Sequence, residues 1–273
     1  MVIRIGGSYR EHELRVGRGR NARRITACVV GPPYSVAMCE RYVIPDQAEV
    51  EQEFLPALPW WKFARHFNVA MERNVPVVRT HAGETEGVML RWGLIPDWAE
   101  GDASKGWTGA APVFGISESK LLSGAWSRGQ RCIVPMEGFY AWQLTPARYR
   151  QPYFIHLSEQ TVFGVAAVWD RTVSEDDDDV LESCALLCVT SNSLVEQVST
   201  GSTYMPAILR REDYAAWLDG TPEQAVAALH TYPAEQMAAY PISPRINSLK
   251  FNDEFLIQPV EAPGSHGLAV SGW

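Results

Sequence analysis

Residues 38–260 of this 273-residue chain predict a single α+β domain on a mostly antiparallel or mixed sheet. Three observations carry that expectation. Short runs rich in Val, Ile, Phe and Tyr recur between Pro, Gly and charged breaks, as strands do. Two helical patterns fall late, over 212–218 and 221–230. No internal repeat or linker divides residues 39–260.

Residues 41–44 read as a strand. Asp46 with Glu49 makes a capping-box-like start to a helix through Leu55, broken by Pro56, Pro59, Trp60 and Trp61. Residues 67–69 and 75–78 read as short strands around a loop, and 87–92 (GVMLRW) as another, ending at Gly93 to Pro96. Residues 97–113 have the length and the Gly and Trp content of a functional loop. Strands follow at 130–135, 153–157, 162–169 and 182–190, with 175–179 a solvated acidic turn between the last two. The first late helix ends near Gly220, and the next starts at Thr221 with Pro222 in its first turn. Residues 237–242 close as a strand, and 261–273 read as a flexible tail.

Composition narrows the class. Hydrophobic content of 46% with ten tryptophans describes an ordinary soluble globular protein, and no apolar run reaches membrane-span length. Five cysteines (28, 39, 132, 184 and 188) contain no CxxC pair, and an odd count is a poor disulfide framework, so a reducing cytoplasm fits. The net charge of −8 is uneven. Residues 1–38 hold seven Arg against two Glu, which leaves 17 of the 24 basic and 30 of the 32 acidic groups to residues 39–273, a net of −13. Such a body does not coat duplex DNA non-specifically, and any nucleic acid must lie in a localised groove. Residues 1–37 lack periodicity and are expected to be disordered. They read as a nucleic-acid arm, a targeting segment or, preferred here, sequence upstream of the true start. No cofactor or metal is implied, and nothing demands more than a monomer.

Met38, Cys39, Glu40, Arg41 and Tyr42 look like a beginning. If Met38 is the first residue and is removed, Cys39 carries a free α-amine beside its thiol. The amine, with a pKa of roughly 7.7–8.0, forms an imine with an aldehyde; the thiol then adds and closes a thiazolidine ring. The alternative is an ordinary, partly buried cysteine in a first strand.

The ordered set MCERY, FNVAMERNVPVVR, LRWGLIPDWA, RGQRCIVPMEGFYAW, QPYFIHL, VTSNSL…YMPAILRRED and YPISPRINS…LIQP resembles the SOS-response-associated peptidase (SRAP) family of abasic-site processing proteins. The resemblance implies an α+β sheet curling toward a barrel, and a groove for single-stranded DNA with abasic sites. It also implies a peptidase or lyase class of activity in the SOS response to DNA damage, with nucleoid association when DNA is damaged. Cys39, made N-terminal, would be the nucleophile that captures the ring-opened sugar aldehyde as a covalent DNA–protein cross-link.

The chain departs from the family at its helper groups. The Asn of an Asn-Ala-Arg segment aligns with Phe114, with Gly115 and Ile116 following. The Glu of a Gly-Phe-Tyr-Glu-Trp motif is Ala141. The His before an Arg-Met-Pro run is Ser199, or Ser202 in a shorter spacing, and the Arg is Tyr204. Glu118 and Glu137 are the neighbouring carboxylates and the candidates to replace the lost acid or base; with 139–142 extended, Glu137 is expected to point elsewhere, since alternate residues face opposite sides. None of the six histidines falls at the family position; His81 and His156 read as strand or loop surface residues. An unrelated Cys-dependent peptidase would need a His partner and an oxyanion hole that the sequence does not supply. Trp92, Trp98 and Trp107 are candidate stacking platforms for bases, and Arg41, Arg91, Lys105 and Arg131 candidate phosphate contacts. Core packing or surface placement is the alternative for each. The loss of cations at 116 and 204 predicts weaker DNA binding than a typical relative shows.

Overall fold

A computed structural model describes residues 14–16, 23–25, 40–100, 107–173 and 179–261. Cys39, Lys105 and the acidic residues 175–178 lie outside the described residues, as do 262–273. Residues 1–35 and 36–273 are separate compact units. In the first, β1 (Leu14–Val16) and β2 (Arg23–Ile25) form an antiparallel pair within the segment expected to be disordered.

The second unit opens with β3 (Arg41–Ile44), α1 (Gln47–Phe54), β4 (Leu58–Pro59), β5 (His66–Ala70), β6 (Asn74–His81) and β7 (Glu84–Trp92). The middle of the chain supplies β8 (Ala110–Pro112), α2 (Ser123–Ser127), β9 (Arg131–Met136), β10 (Gly138–Leu144), β11 (Arg150–Leu157), β12 (Phe163–Val173) and β13 (Val180–Thr190). It ends with α3 (Ser193–Val198), β14 (Tyr204–Pro206), β15 (Ile208–Leu209), α4 (Tyr214–Asp219), α5 (Pro222–Ala227) and β16 (Met237–Pro241). The α+β expectation holds.

Pairing explains the curl. β13, β12, β9, β6 and β7 are each bonded to the next, and β7 returns to β13, which closes a ring of five strands. A ring with an odd number of strands cannot alternate direction throughout. One pair must be parallel, and it is β7 with β13, through Ser183 opposite Arg91 and Cys184 opposite Trp92. A second sheet, in the order β16, β11, β10, β3, β5, packs against this barrel.

Strand alternation sorts the core into layers. Cys132, Val134 and Met136 of β9 join Val165, Leu186 and Leu90 in the cluster shared with the second sheet, while Ile133 turns outward under the helices with Trp217 and Val50. Val43, Tyr140 and Phe154 form a third cluster on the outer face of the second sheet. Gly138 starts β10 where a Cβ would strike the Phe154 ring and the Ile155 carbonyl, so only glycine lets β3 and β11 flank that strand.

Three local expectations change. Asp46 precedes α1 but makes no side-chain cap; it stands 4.0 Å from Arg65 instead. The stretch 97–113 is not one loop, because β8 pairs in parallel with β13. The second late helix stops at Ala227, although its Thr221–Gln224 capping box forms as the pattern requires. Among the described residues, no helix is long and apolar enough to cross a membrane.

Candidate functional site

A cleft of about 310 Å³ opens beside the start of β3. Glu40 and Arg41 form one side. Phe139 to Trp142 of β10 form the floor, and Ser199, Thr200, Ser202 and Tyr204 the opposite wall, with Arg150 and Asn247 also lining it.

That wall is held by short-range bonds. Asn192 caps α3 by accepting from the Val195 amide at 3.0 Å, and its amide group donates to the Tyr232 carbonyl at 2.7 Å. Past the helix, the Thr200 amide donates to the Trp142 carbonyl at 3.2 Å, and the Leu144 amide to Thr200 Oγ1 at 2.8 Å. Ser202 Oγ donates to the Tyr204 carbonyl at 2.7 Å. On the other side, Arg41 donates to Asn68 Oδ1 at 3.0 Å and to the carbonyls of Ile246 and Asn247. Asn68, fully inside, reaches the carbonyls of Ser248 and Phe251 at 3.1 Å each. Trp142 Nε1 donates to Asn247 Oδ1 at 2.9 Å, completing the frame.

The sequence-predicted residues divide. Ala141, Ser199, Ser202 and Tyr204 share the cleft with Glu40 and Arg41, so positions scattered over the chain converge. Phe114 is elsewhere, 91% exposed beyond β8, and Glu118 lies on an exposed 3-10 turn; neither lines the cleft. Glu137 does point away from position 141, although not through strand alternation. An unbroken strand would put 137 and 141 on one face, but a bend at Glu137 separates β9 from β10. Its carboxylate is gripped by Arg65 at 2.5 and 2.9 Å, and burial raises its pKa against that ion pair.

Two of the DNA-binding candidates are core residues. Trp92 is 1% exposed, donates through Nε1 to the Gly109 carbonyl at 2.7 Å and packs edge-on against Tyr42, so no base can stack on it. Arg131 is buried at the end of α4, where it donates to the carbonyls of Trp217 (2.5 Å), Gly220 (2.6 Å) and Leu218 (3.4 Å). It satisfies a helix C-terminus rather than a phosphate. Arg91 donates to the Gly93 carbonyl at 2.6 Å and stands over the Trp107 ring at 5.9 Å. Trp98 is 39% exposed, with Lys120 5.0 Å above its ring.

Sequence reasoning missed Glu40, Arg150 and Asn247 as cleft residues. Only MCERY and YPISPRINS, taken as motifs, contained a signal for the first and last. Cys132, Cys184 and Cys188 are buried, and burial pushes the thiols of Cys184 and Cys188 up to about 12, which leaves them poor nucleophiles. His81 and His156 end or line strands away from the cleft, as expected. Among the described residues no cluster of three or more His, Cys, Asp or Glu is placed to hold a metal ion.

A five-strand barrel with a second sheet against it, and a polar cleft beside the start of β3, define the class. The chain belongs to the SOS response associated peptidase (SRAP) family, whose profile matches residues 38–249. Among its relatives, the abasic site processing protein YoqW of Bacillus subtilis (strain 168) is 26% identical over 230 residues, covering 81% of this chain and 99% of that protein. The abasic site processing protein HMCES of Pongo abelii is 27% identical over 259 residues, covering 79% of this chain and 72% of the relative. A solved structure from Bacteroides thetaiotaomicron superposes with a TM-score of 0.63 at 25% identity, over 70% of this chain and 82% of that one. One from Bordetella bronchiseptica, at 22% identity, has a TM-score of 0.64 over 75% of this chain and all of the other, and speaks to the fold alone.

Proposed function

We propose that this chain processes abasic sites in single-stranded DNA, with Cys39 as the capturing residue once it is N-terminal. The observation that carries the reading is the lining of the cleft. Glu40, one peptide bond from Cys39, faces the same space as Ala141, Ser199, Ser202 and Tyr204. The α-amine of Cys39 adds to the opened sugar aldehyde, water leaves, and the thiol closes a thiazolidine that holds the DNA covalently. The buried, high-pKa thiols at 132, 184 and 188 do not compete for this role.

With alanine at 141 and serine at 199 and 202, the reaction runs without the helpers the family supplies there. Each general acid or base contributes about 10²–10⁴-fold, so capture is slow. If residues 1–37 stay attached, the amine is an amide and the ring cannot form. The same substitutions favour a second reading: a catalytically degenerate relative that acts as a DNA-binding or protein-interaction module.

Intact mass of the purified protein, before and after incubation with an abasic single-stranded oligonucleotide, separates the two. A chain beginning at Cys39 that gains the mass of the oligonucleotide less one water supports capture. A blocked terminus, or a free Cys39 that forms no adduct, supports the degenerate module.

A further inference from the structure

The cleft's acid–base inventory is short. Arg41 and Arg150 are permanent cations. The Tyr140 hydroxyl donates to the Phe67 carbonyl, and burial drives its pKa far upward. Among the described residues, no histidine or aspartate lines the space. Of the described lining residues, Glu40 alone carries a carboxylate. That side chain is exposed and makes no hydrogen bond or ion pair among the described residues, whereas Glu137, the carboxylate of the β9–β10 segment, lies outside the cleft and is held by Arg65. Position 40 also lies next in the chain to the amine that would react.

Resting on the reading above, we propose that Glu40 is the proton-transfer residue of the capture reaction, filling from the start of the chain the role that Ala141 cannot. The protons balance through one carboxyl group. As the amine adds to the aldehyde, its proton passes to the oxygen and a carbinolamine forms. Protonated Glu40 gives its proton to the carbinolamine hydroxyl; the C–O bond breaks, water leaves and an iminium remains. The Glu40 carboxylate then takes the thiol proton as sulfur bonds to the iminium carbon. Glu40 ends as it began, and one water is released per thiazolidine. A carboxylate at position 40 needs no histidine and no carboxylate at 141, which explains how a cleft so altered can keep the reaction.

The test compares the chain beginning at Cys39 with its Glu40→Gln variant, following adduct formation with an abasic single-stranded oligonucleotide by intact mass across pH. The expected result is an initial rate about 10²-fold lower or more, a flattened pH profile, and partial rescue by added acetate. Affinity for an oligonucleotide carrying a reduced, unreactive abasic site should not weaken. If the parent chain forms an adduct and Glu40→Gln matches its rate, the assignment of Glu40 is overturned while the capture reading stands. A slow variant with an unchanged pH profile and no acetate rescue overturns it too, since the side chain then only shapes the cleft. If the parent chain forms no adduct, the capture reading fails and Glu40 has no reaction to serve.

Discussion

At the scale of single residues, two arginines show how position decides role. Arg131 carries the same charge as Arg150, yet its guanidinium is spent on three carbonyls at the end of α4, over 80 residues away in sequence. Arg131→Met should therefore cost about 1.5–3 kcal/mol in urea unfolding, the range for hydrogen bonds to charged groups, with single-stranded DNA affinity unchanged. Weaker binding at full stability would return Arg131 to the phosphate contacts. Arg150 lines the cleft, is exposed and forms no ion pair among the described residues. Arg150→Ala should weaken binding uniformly across sequences and lower the salt slope by roughly 0.7, as loss of one single-strand phosphate contact does. An unchanged slope would remove it from the DNA path. Sequence pattern could not tell these two apart, because a strand start and a cleft rim look alike until the partner element arrives.

At the scale of elements, β5 and α3 govern the cleft walls. His66 opens β5, and its Nδ1 accepts from the Asn68 amide at 3.1 Å, which requires that nitrogen to be unprotonated. Burial, with Arg73 nearby, lowers the His66 pKa. The unfolded chain then binds the proton more readily than the folded one. This contribution to stability is intact above the ordinary histidine value near 6.5 and is lost as pH falls through the lower folded value. Denaturant midpoints should drop between pH 7 and 5, and by less in His66→Gln; an identical drop in both would place the titration elsewhere. On the opposite wall, Asn192→Ala should cost about 1 kcal/mol by removing the α3 cap. A variant of parental stability would show that the wall stands without it. The sequence did not announce α3, a six-residue helix whose cap only reads as one beside Tyr232. Nor did it announce β8, where Ala-Ala-Pro has no strand preference and is extended only because β13 pairs with it.

At the scale of the whole molecule, the unit spanning residues 36–273 is compact apart from residues 1–35. A chain starting at Cys39 should keep the thermal midpoint of the full chain, while adduct with abasic DNA should appear only in the trimmed form. Equal adduct from a chain with residues 1–38 verified in place would rule out thiazolidine chemistry, since an amide nitrogen cannot form the imine. A sheet curled toward a barrel was implied only by the family resemblance; the residue pattern did not say which strands close it. Alternation tells a strand which face is buried, not which neighbour it bonds, and β7 meets β13 only after more than ninety intervening residues have folded back.

What the sequence determined by itself is local or additive: the strand runs, the capped start of α5, the acidic body, and the ordered motifs that mark the family. Those features depend on side chains a few positions apart, or on sums over the chain. Tertiary structure alone decided that Trp92 and Arg131 belong to the interior and that Glu40, Ala141, Ser199 and Tyr204 face one space. Convergence of distant residues is set by strand partners and packing, and those interactions have no address in the linear order of the chain.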